Sequence, residues 1–179
     1  MGVEIRTERL LLRPLETSDT PRIQALCGER AVSRWLARVP HPYPAGEAER
    51  FIAACRASDD RVWAIERQAE PGLIGVIGID GPAGKESLGY WLGVPYWGRG
   101  YAGEAAGAVV DRAFSQAGIE TLASGAFDGN AASLRVQERL GFRVTGERML
   151  RCEALDTDLL HIDTALDRAR WKAPREARA

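Results

Sequence analysis

Two short stretches hold residues whose types and spacing could do chemistry. The first is Trp97-Gly98-Arg99-Gly100-Tyr101-Ala102-Gly103, set between an apolar run and an alanine-rich segment. The opening amides of a helix have no intrahelical acceptor, and the helix dipole adds partial positive charge there. Glycines let an anion come close to that backbone, so a diphosphate is the natural ligand. The second stretch runs from Asn130 to Phe142, Asn-Ala-Ala-Ser-Leu-Arg-Val-Gln-Glu-Arg-Leu-Gly-Phe. Asn130 suits a helix cap, Ser133 falls on the same side of the first turn, and Gly141 stops the helix.

Gly98, Gly100 and Gly103 also spell GxGxxG, the dinucleotide fingerprint, but the context is wrong for it. That turn follows its strand directly and has an acid about 20 residues on. Here Pro95, Tyr96 and Trp97 intervene, and the nearest strand-end acid is Asp128. Too little chain follows for the further βα units. Taken alone, the glycines would also serve as a plain strand-to-helix turn.

The elements that must position these stretches follow from periodicity. Arg9 to Leu15 is a first strand closed by Pro14, and Thr17-Ser18-Asp19 before Pro21 starts a helix carrying Ile23, Leu26 and Cys27. Alternating prolines make 39–44 an extended loop. Glu47 to Ser58 is a second helix, with Phe51, Ile52 and Cys55 on one stripe. Val62–Glu66, Leu73–Ile79 and Glu86–Val94 form an antiparallel meander, broken by Pro95 to Gly100. Ala102 to Ala117 is a helix stopped by Gly118, and Thr121–Phe127 a strand. The Asn130–Leu140 helix follows, then strands at Phe142–Leu150 and Leu159–Leu166. Residues 1–172 are expected to form one domain and 173–179 a charged tail.

Composition narrows the function. The chain has 179 residues, with Lys plus Arg 24 against Asp plus Glu 25, a formal net charge of −1. That balance argues against a nucleic-acid binder relying on a strong overall positive field, although a local patch stays open. Hydrophobic residues at 45% and charged residues at 27% are ordinary globular values, which excludes long disorder. Cys27, Cys55 and Cys152 form no CxxC pair, and the histidines are His41 and His161. Neither a disulfide framework nor a zinc site is expected, so the thiols are read as inert in a reducing compartment. The N-terminus lacks the apolar core of a secretory signal, and no apolar run would span a membrane. A cytoplasmic location is expected, with no nucleic-acid or membrane partner; a homodimer is one open assembly.

The two motifs together resemble the GNAT superfamily of acyl-CoA-dependent N-acetyltransferases. The phrases GYWLGVPYWGRGYAGEA and NAASLRVQERLGF, with the opening TERLLLRPLETSD, are similar to its RimJ/RimL-like branch, which acetylates ribosomal-protein N-termini. The resemblance spans nearly the whole chain. It implies an α+β fold: a central mixed, mostly antiparallel sheet of about seven strands flanked by helices.

The resemblance also implies roles. The family writes its pyrophosphate turn Q/R-x-x-G-x-G/A; Gly100 and Ala102 fill the last two positions, and the amides from Gly98 through Arg99, Gly100, Tyr101 and Ala102 to Gly103 make the cradle. Trp97 stands where the family has Gln or Arg, which removes a polar side chain. Leu92 to Val94 takes the place of a splayed strand end whose unpaired backbone holds the pantetheine and offers an oxyanion donor. Many relatives use a tyrosine as general acid where this chain has Gln137. Ser133 is the implied replacement, hydrogen-bonded to the leaving sulfur, or it simply completes the cap. Asn130 is a plain cap or also touches the pantetheine. Glu86 is a candidate base acting through water, or a surface glutamate. Tyr90, Trp91 and Trp97 shape the acceptor cleft or fill core, and Arg135 and Arg139 face solvent or the adenosine 3′-phosphate.

The implied activity is acetyl transfer from acetyl-CoA, without a metal, to a primary amine. A protein N-terminal α-amine, with an unperturbed pKa near 7.7–8, needs less help than a lysine near 10.4. Two alternatives stay open: a small amine acceptor such as an aminoglycoside, polyamine or amino-acid derivative, and a module that binds acyl-CoA without turnover.

Overall fold

The computed structural model describes residues 4–57, 61–115 and 119–171. Its first half runs β1 (Ile5–Arg6), β2 (Leu10–Pro14), α1 (Thr20–Cys27), α2 (Arg30–Ser33), α3 (Glu47–Ala57), β3 (Arg61–Arg67), β4 (Glu70–Asp80) and β5 (Ser87–Leu92). Its second half runs α4 (Tyr101–Ser115), β6 (Thr121–Phe127), α5 (Ala131–Leu140), β7 (Arg143–Cys152) and β8 (Thr157–Asp167). The strands make one sheet in the order β1-β2-β3-β4-β5-β6-β8-β7. Every neighbouring pair is antiparallel except β5–β6, which is parallel and joined through the α4 crossover.

The expected mixed, mostly antiparallel sheet between helices is therefore present, with eight strands instead of about seven. The additional one is β1, a two-residue strand paired with Leu11 and Leu12. The Thr17–Asp19 helix start is a 3-10 turn leading into α1. The strand expected to reach Val94 ends at Leu92, because Val94–Tyr96 coils into a 3-10 turn around Pro95. The stop assigned to Gly118 and the tail 173–179 lie outside the described residues.

Strand alternation sorts the core onto two faces. Trp63 and Ile65 of β3, Ile77 and Ile79 of β4, and Leu88 and Leu92 of β5 pack with Ala105, Val109, Val110 and Phe114 of α4. Ala64 and Val76 point the other way, toward Ile23, Cys27, Ala48 and Ile52 of α1 and α3. Each fully buried branched or aromatic side chain contributes about 1.5–3 kcal/mol, so α4 is held by its apolar stripe. Burial pushes the Cys27 thiol up to about 12, which leaves it inert.

Two polar ties lock the ends of β2. At its C-terminal end, Arg13 forms ion pairs with Asp19 at 2.8 Å and Glu66 at 2.9 Å, all three side chains mostly buried. At its start, Glu104 in the first turn of α4 accepts from the Thr7 hydroxyl, the Arg9 amide at 2.8 Å and the Arg9 guanidinium at 2.7 Å. Burial alone would raise the Glu104 carboxyl; those three donors outweigh it and hold the group below its ordinary value.

Candidate active site

The parallel pair β5–β6 is joined at one register position, Ser87 with Ala123, and then parts. The Gly93 amide donates to Ile74 at 2.9 Å, and the register sets Leu92 beside Gly75. By antiparallel alternation, the backbone groups of Leu88, Tyr90 and Leu92 therefore turn away from β4, toward β6. The Leu88 carbonyl is taken by the buried Ser124 hydroxyl at 2.9 Å, which pins the apex of the splay. The Leu92 carbonyl is taken by the Trp97 indole at 2.7 Å. The Tyr90 peptide and the Leu92 amide are left facing the gap. Of the expected strand end Leu92 to Val94, only Leu92 carries a free splay-facing amide; Gly93 is spent on β4 and Val94 has left the sheet.

Beyond Trp97 the chain turns into α4. Gly98 and Gly100 hold φ of 70° and 81°, left-handed values that disfavour side chains. A Cβ on Gly98 or on Gly103 would meet nothing within 4 Å, and both glycines line the cleft. The first bond closing the turn runs from the Glu104 amide to the Gly100 carbonyl at 3.1 Å. An anion fits such a nest of unpaired amides. Arg9 steadies it from below, donating to the Arg99 carbonyl at 3.0 Å with its guanidinium over the Tyr101 ring at 4.9 Å.

Across the gap, Asn130 caps α5 by accepting the Ser133 amide at 3.2 Å. The Ser133 hydroxyl lies 3.0 Å from the Tyr90 phenol and accepts from Gln137 at 3.2 Å. Gln137, 1% exposed, also donates to the Gly125 carbonyl at 3.1 Å and accepts from Thr164 at 2.7 Å. Burial raises the Tyr90 phenol above its ordinary value, partly offset by its hydrogen bonds to Ser133 and Gln137, so the phenol stays protonated.

These parts surround one cleft of about 1680 Å³. It brings together Leu92, Gly98, Gly100, Tyr101, Ala102, Gly103, Asn130 and Ser133, with Tyr90, Trp91, Trp97, Arg135 and Arg139 also on its wall. Val94, Arg99 and Glu86 are not on that wall. The Arg99 side chain is exposed to solvent. Glu86 is 4% exposed, and its carboxylate accepts the Gly84 amide at 2.8 Å. The alternative of a surface glutamate is thereby corrected: Glu86 is buried, stands off the cleft wall and accepts a hydrogen bond within the β4–β5 turn. Sequence reasoning missed Tyr90 as the partner of Ser133, since the two are 43 residues apart. It also missed His161 and Asp163, which share the cleft; their i, i+2 spacing on a strand was the available signal.

A family profile for an acetyltransferase (GNAT) domain matches residues 9–143. The chain belongs to the GNAT acetyltransferase family. The N-acetyltransferase YoaA of Bacillus subtilis (strain 168), itself uncharacterized, is 30% identical over 148 residues, covering 79% of this chain and 84% of the relative. Among solved structures, a spermidine N-acetyltransferase from Vibrio cholerae, in complex with CoA and spermine, superposes with a TM-score of 0.77 at 16% identity. It covers 93% of this chain and 99% of the other. A structure from Vibrio cholerae described as a candidate ribosomal-protein-serine acetyltransferase gives 0.74 at 21% identity, over 93% and 99%. At these identities the structures speak to the fold alone. This GNAT enzyme is an N-acetyltransferase that uses acetyl-CoA and acts on an amine. Among the described residues no helix is long and apolar enough to cross a membrane.

Proposed function

We propose that this N-acetyltransferase acts on the α-amine of a protein N-terminus, in the manner of the RimJ/RimL-like branch. The observation that carries this reading is the charge of the cleft. Its carboxylates among the described residues are Glu47, Asp80 and Asp163, and each is paired with an arginine of the same wall: Arg50 at 2.6 Å, Arg38 at 2.9 Å and Arg148 at 2.9 Å. Arg135 and Arg139 add further positive charge. A polyamine or aminoglycoside would meet a cleft already compensated and net cationic, which opposes its binding. A singly charged chain terminus, with a fair fraction neutral near pH 7, meets no such barrier.

Acetyl-CoA supplies the activated acetyl group. The amides from Gly98 to Gly103 would hold its diphosphate, and the Tyr90 peptide and Leu92 amide would run along its arm, with Asn130 at the opposite edge. Ser133 would donate its hydroxyl proton to the departing sulfur, with the Tyr90 phenol hydrogen-bonded behind it as the source of replacement. The buried amide of Gln137 orients Ser133 where many relatives place a tyrosine.

A panel of Ser- and Ala-starting peptides, the same peptides with blocked α-amines, spermidine and an aminoglycoside tests the assignment by release of free CoA. The free-terminus peptides are expected to be turned over and the rest not. Preference for spermidine or the aminoglycoside would sink it, and acetyl-CoA binding with no release for any amine would reduce the protein to a binding module. Ser133→Ala is expected to lower kcat by about 10²-fold or more with little change in the KM for acetyl-CoA.

A further inference from the structure

With Glu86 turned into a loop, the geometry points to His161 as the group that takes the proton from the attacking amine, positioned by Asp163. This rests on the acetyl-transfer reading above. His161 lies on β8, one strand over from the splay, and lines the cleft. Its Nδ1 lies 2.9 Å from Asp163 Oδ1. A carboxylate only accepts, so the proton between them sits on Nδ1, and in the neutral ring Nε2 is the nitrogen with the free lone pair. Asp163 is in turn fixed by Arg148, whose Nε donates to both its oxygens at 3.1 and 2.9 Å. Nε2 has no hydrogen-bond partner among the described residues.

Gly125 explains how the ring reaches the splay. A Cβ there would lie 2.4 Å from His161 Cε1 and 3.1 Å from Nε2. The bare backbone leaves room for the imidazole beside β6, while the Phe127 ring meets it edge-on at 5.6 Å. The Gly125 carbonyl is the one that accepts from Gln137, which holds the Ser133 hydroxyl. The Gly125 peptide and the Gln137 side chain thus lie between the imidazole and the proton donor of the leaving sulfur. The strand faces differ: His161 and Asp163 alternate with Thr164, which bonds to α5. The amine side and the sulfur side of the reaction are therefore served from opposite faces of the sheet. Among the described residues the ring is bonded to Asp163 on β8, and through it to Arg148 on β7; β6 contributes no charged residue.

The step balances without a further reactant. The amine nitrogen bonds to the acetyl carbon, the carbon–sulfur bond breaks, one amine proton passes to Nε2 and the sulfur leaves with the proton from Ser133.

The test uses His161→Gln and Asp163→Asn in the full chain, with the Ser-starting peptide as acceptor and folding checked by thermal unfolding. His161→Gln is expected to lose about 10²–10³-fold in kcat, with the KM for acetyl-CoA unchanged. The loss shrinks as the assay pH rises, because hydroxide and buffer base then take the proton that Nε2 would have taken; a purely structural role would show no such recovery. In ¹⁵N long-range NMR only two histidines report, and His161→Gln assigns them. His161 is expected as the Nδ1–H tautomer, and Asp163→Asn to abolish that preference. Full kcat in His161→Gln, or an Nε2–H tautomer in the wild type, overturns the assignment. If the wild type ignores the peptide but the tautomer is as expected, the acceptor reading fails and the dyad stands; the kinetic arm then runs with whichever panel amine is turned over.

Discussion

Gly103→Leu separates the diphosphate cradle from the helix that carries it. Gly103 sits in the first turn of α4, and a Cβ there meets nothing within 4 Å. Replacing a helical glycine by leucine is worth about 0.8 kcal/mol in propensity, so unfolding should move up by roughly 2–3 °C in a chain of this size. The same side chain projects into the cleft and holds an anion away from the turn. A hydrogen bond to a charged group is worth about 1.5–3 kcal/mol. Losing two of them costs at least about 3 kcal/mol, or about 100-fold in affinity. Titration calorimetry with acetyl-CoA alongside thermal unfolding reads both numbers from one sample. The expected result is a more stable protein that binds acetyl-CoA at least 100-fold more weakly. A stable variant with wild-type affinity would refute the cradle outright. Gly100→Val is the less clean choice, since φ of 81° and the Arg9 guanidinium 3.3 Å from its Cβ add strain to the same readout.

Arg13→Ala leaves Asp19 and Glu66 without their shared cation in a largely buried place, which should cost about 3–5 kcal/mol; a urea midpoint unchanged from wild type would contradict that. Glu104→Gln tests the tie between β2 and α4. The folded carboxyl ionises more readily than the unfolded one, so its stabilisation is present above about pH 4.3 and fades as the pH falls through the folded value. The melting temperatures of wild type and Glu104→Gln should differ at pH 7 and converge under acid; a constant gap would show the carboxylate is not the cause.

Much of this architecture was legible because periodicity reports burial. The Thr121–Phe127 strand and the Asn130-capped helix stand where their patterns put them, since alternation and a cap residue are local signals. What escaped was long-range or too short to be periodic. β1 is two residues, and α2 is a single turn held by the burial of Val32 and Ser33. The burial of Glu86 was not legible because a sequence does not show which way a carboxylate turns at a strand start. Trp97 illustrates the reverse: its departure from the family turn suggested a lost polar contact, yet its indole supplies a donor, to a strand carbonyl five residues back. The site as a whole depends on pairs such as Tyr90 with Ser133 that only the folded sheet brings together.

The Ser124 pin gives the wedge between β5 and β6 a fixed depth. Strands advance about 3.3 Å per residue, so Leu88 to Leu92 offers roughly 13 Å of rail before the turn into α4. One end is closed by a hydroxyl and the other is marked by glycines that can grip a charge. Any carrier whose reactive tip and anionic anchor are spaced differently would present its acyl carbon short of, or past, the point where donor and acceptor meet. If the donor lies along this rail as proposed, the sheet defect acts as a ruler that would discriminate acyl donors by length.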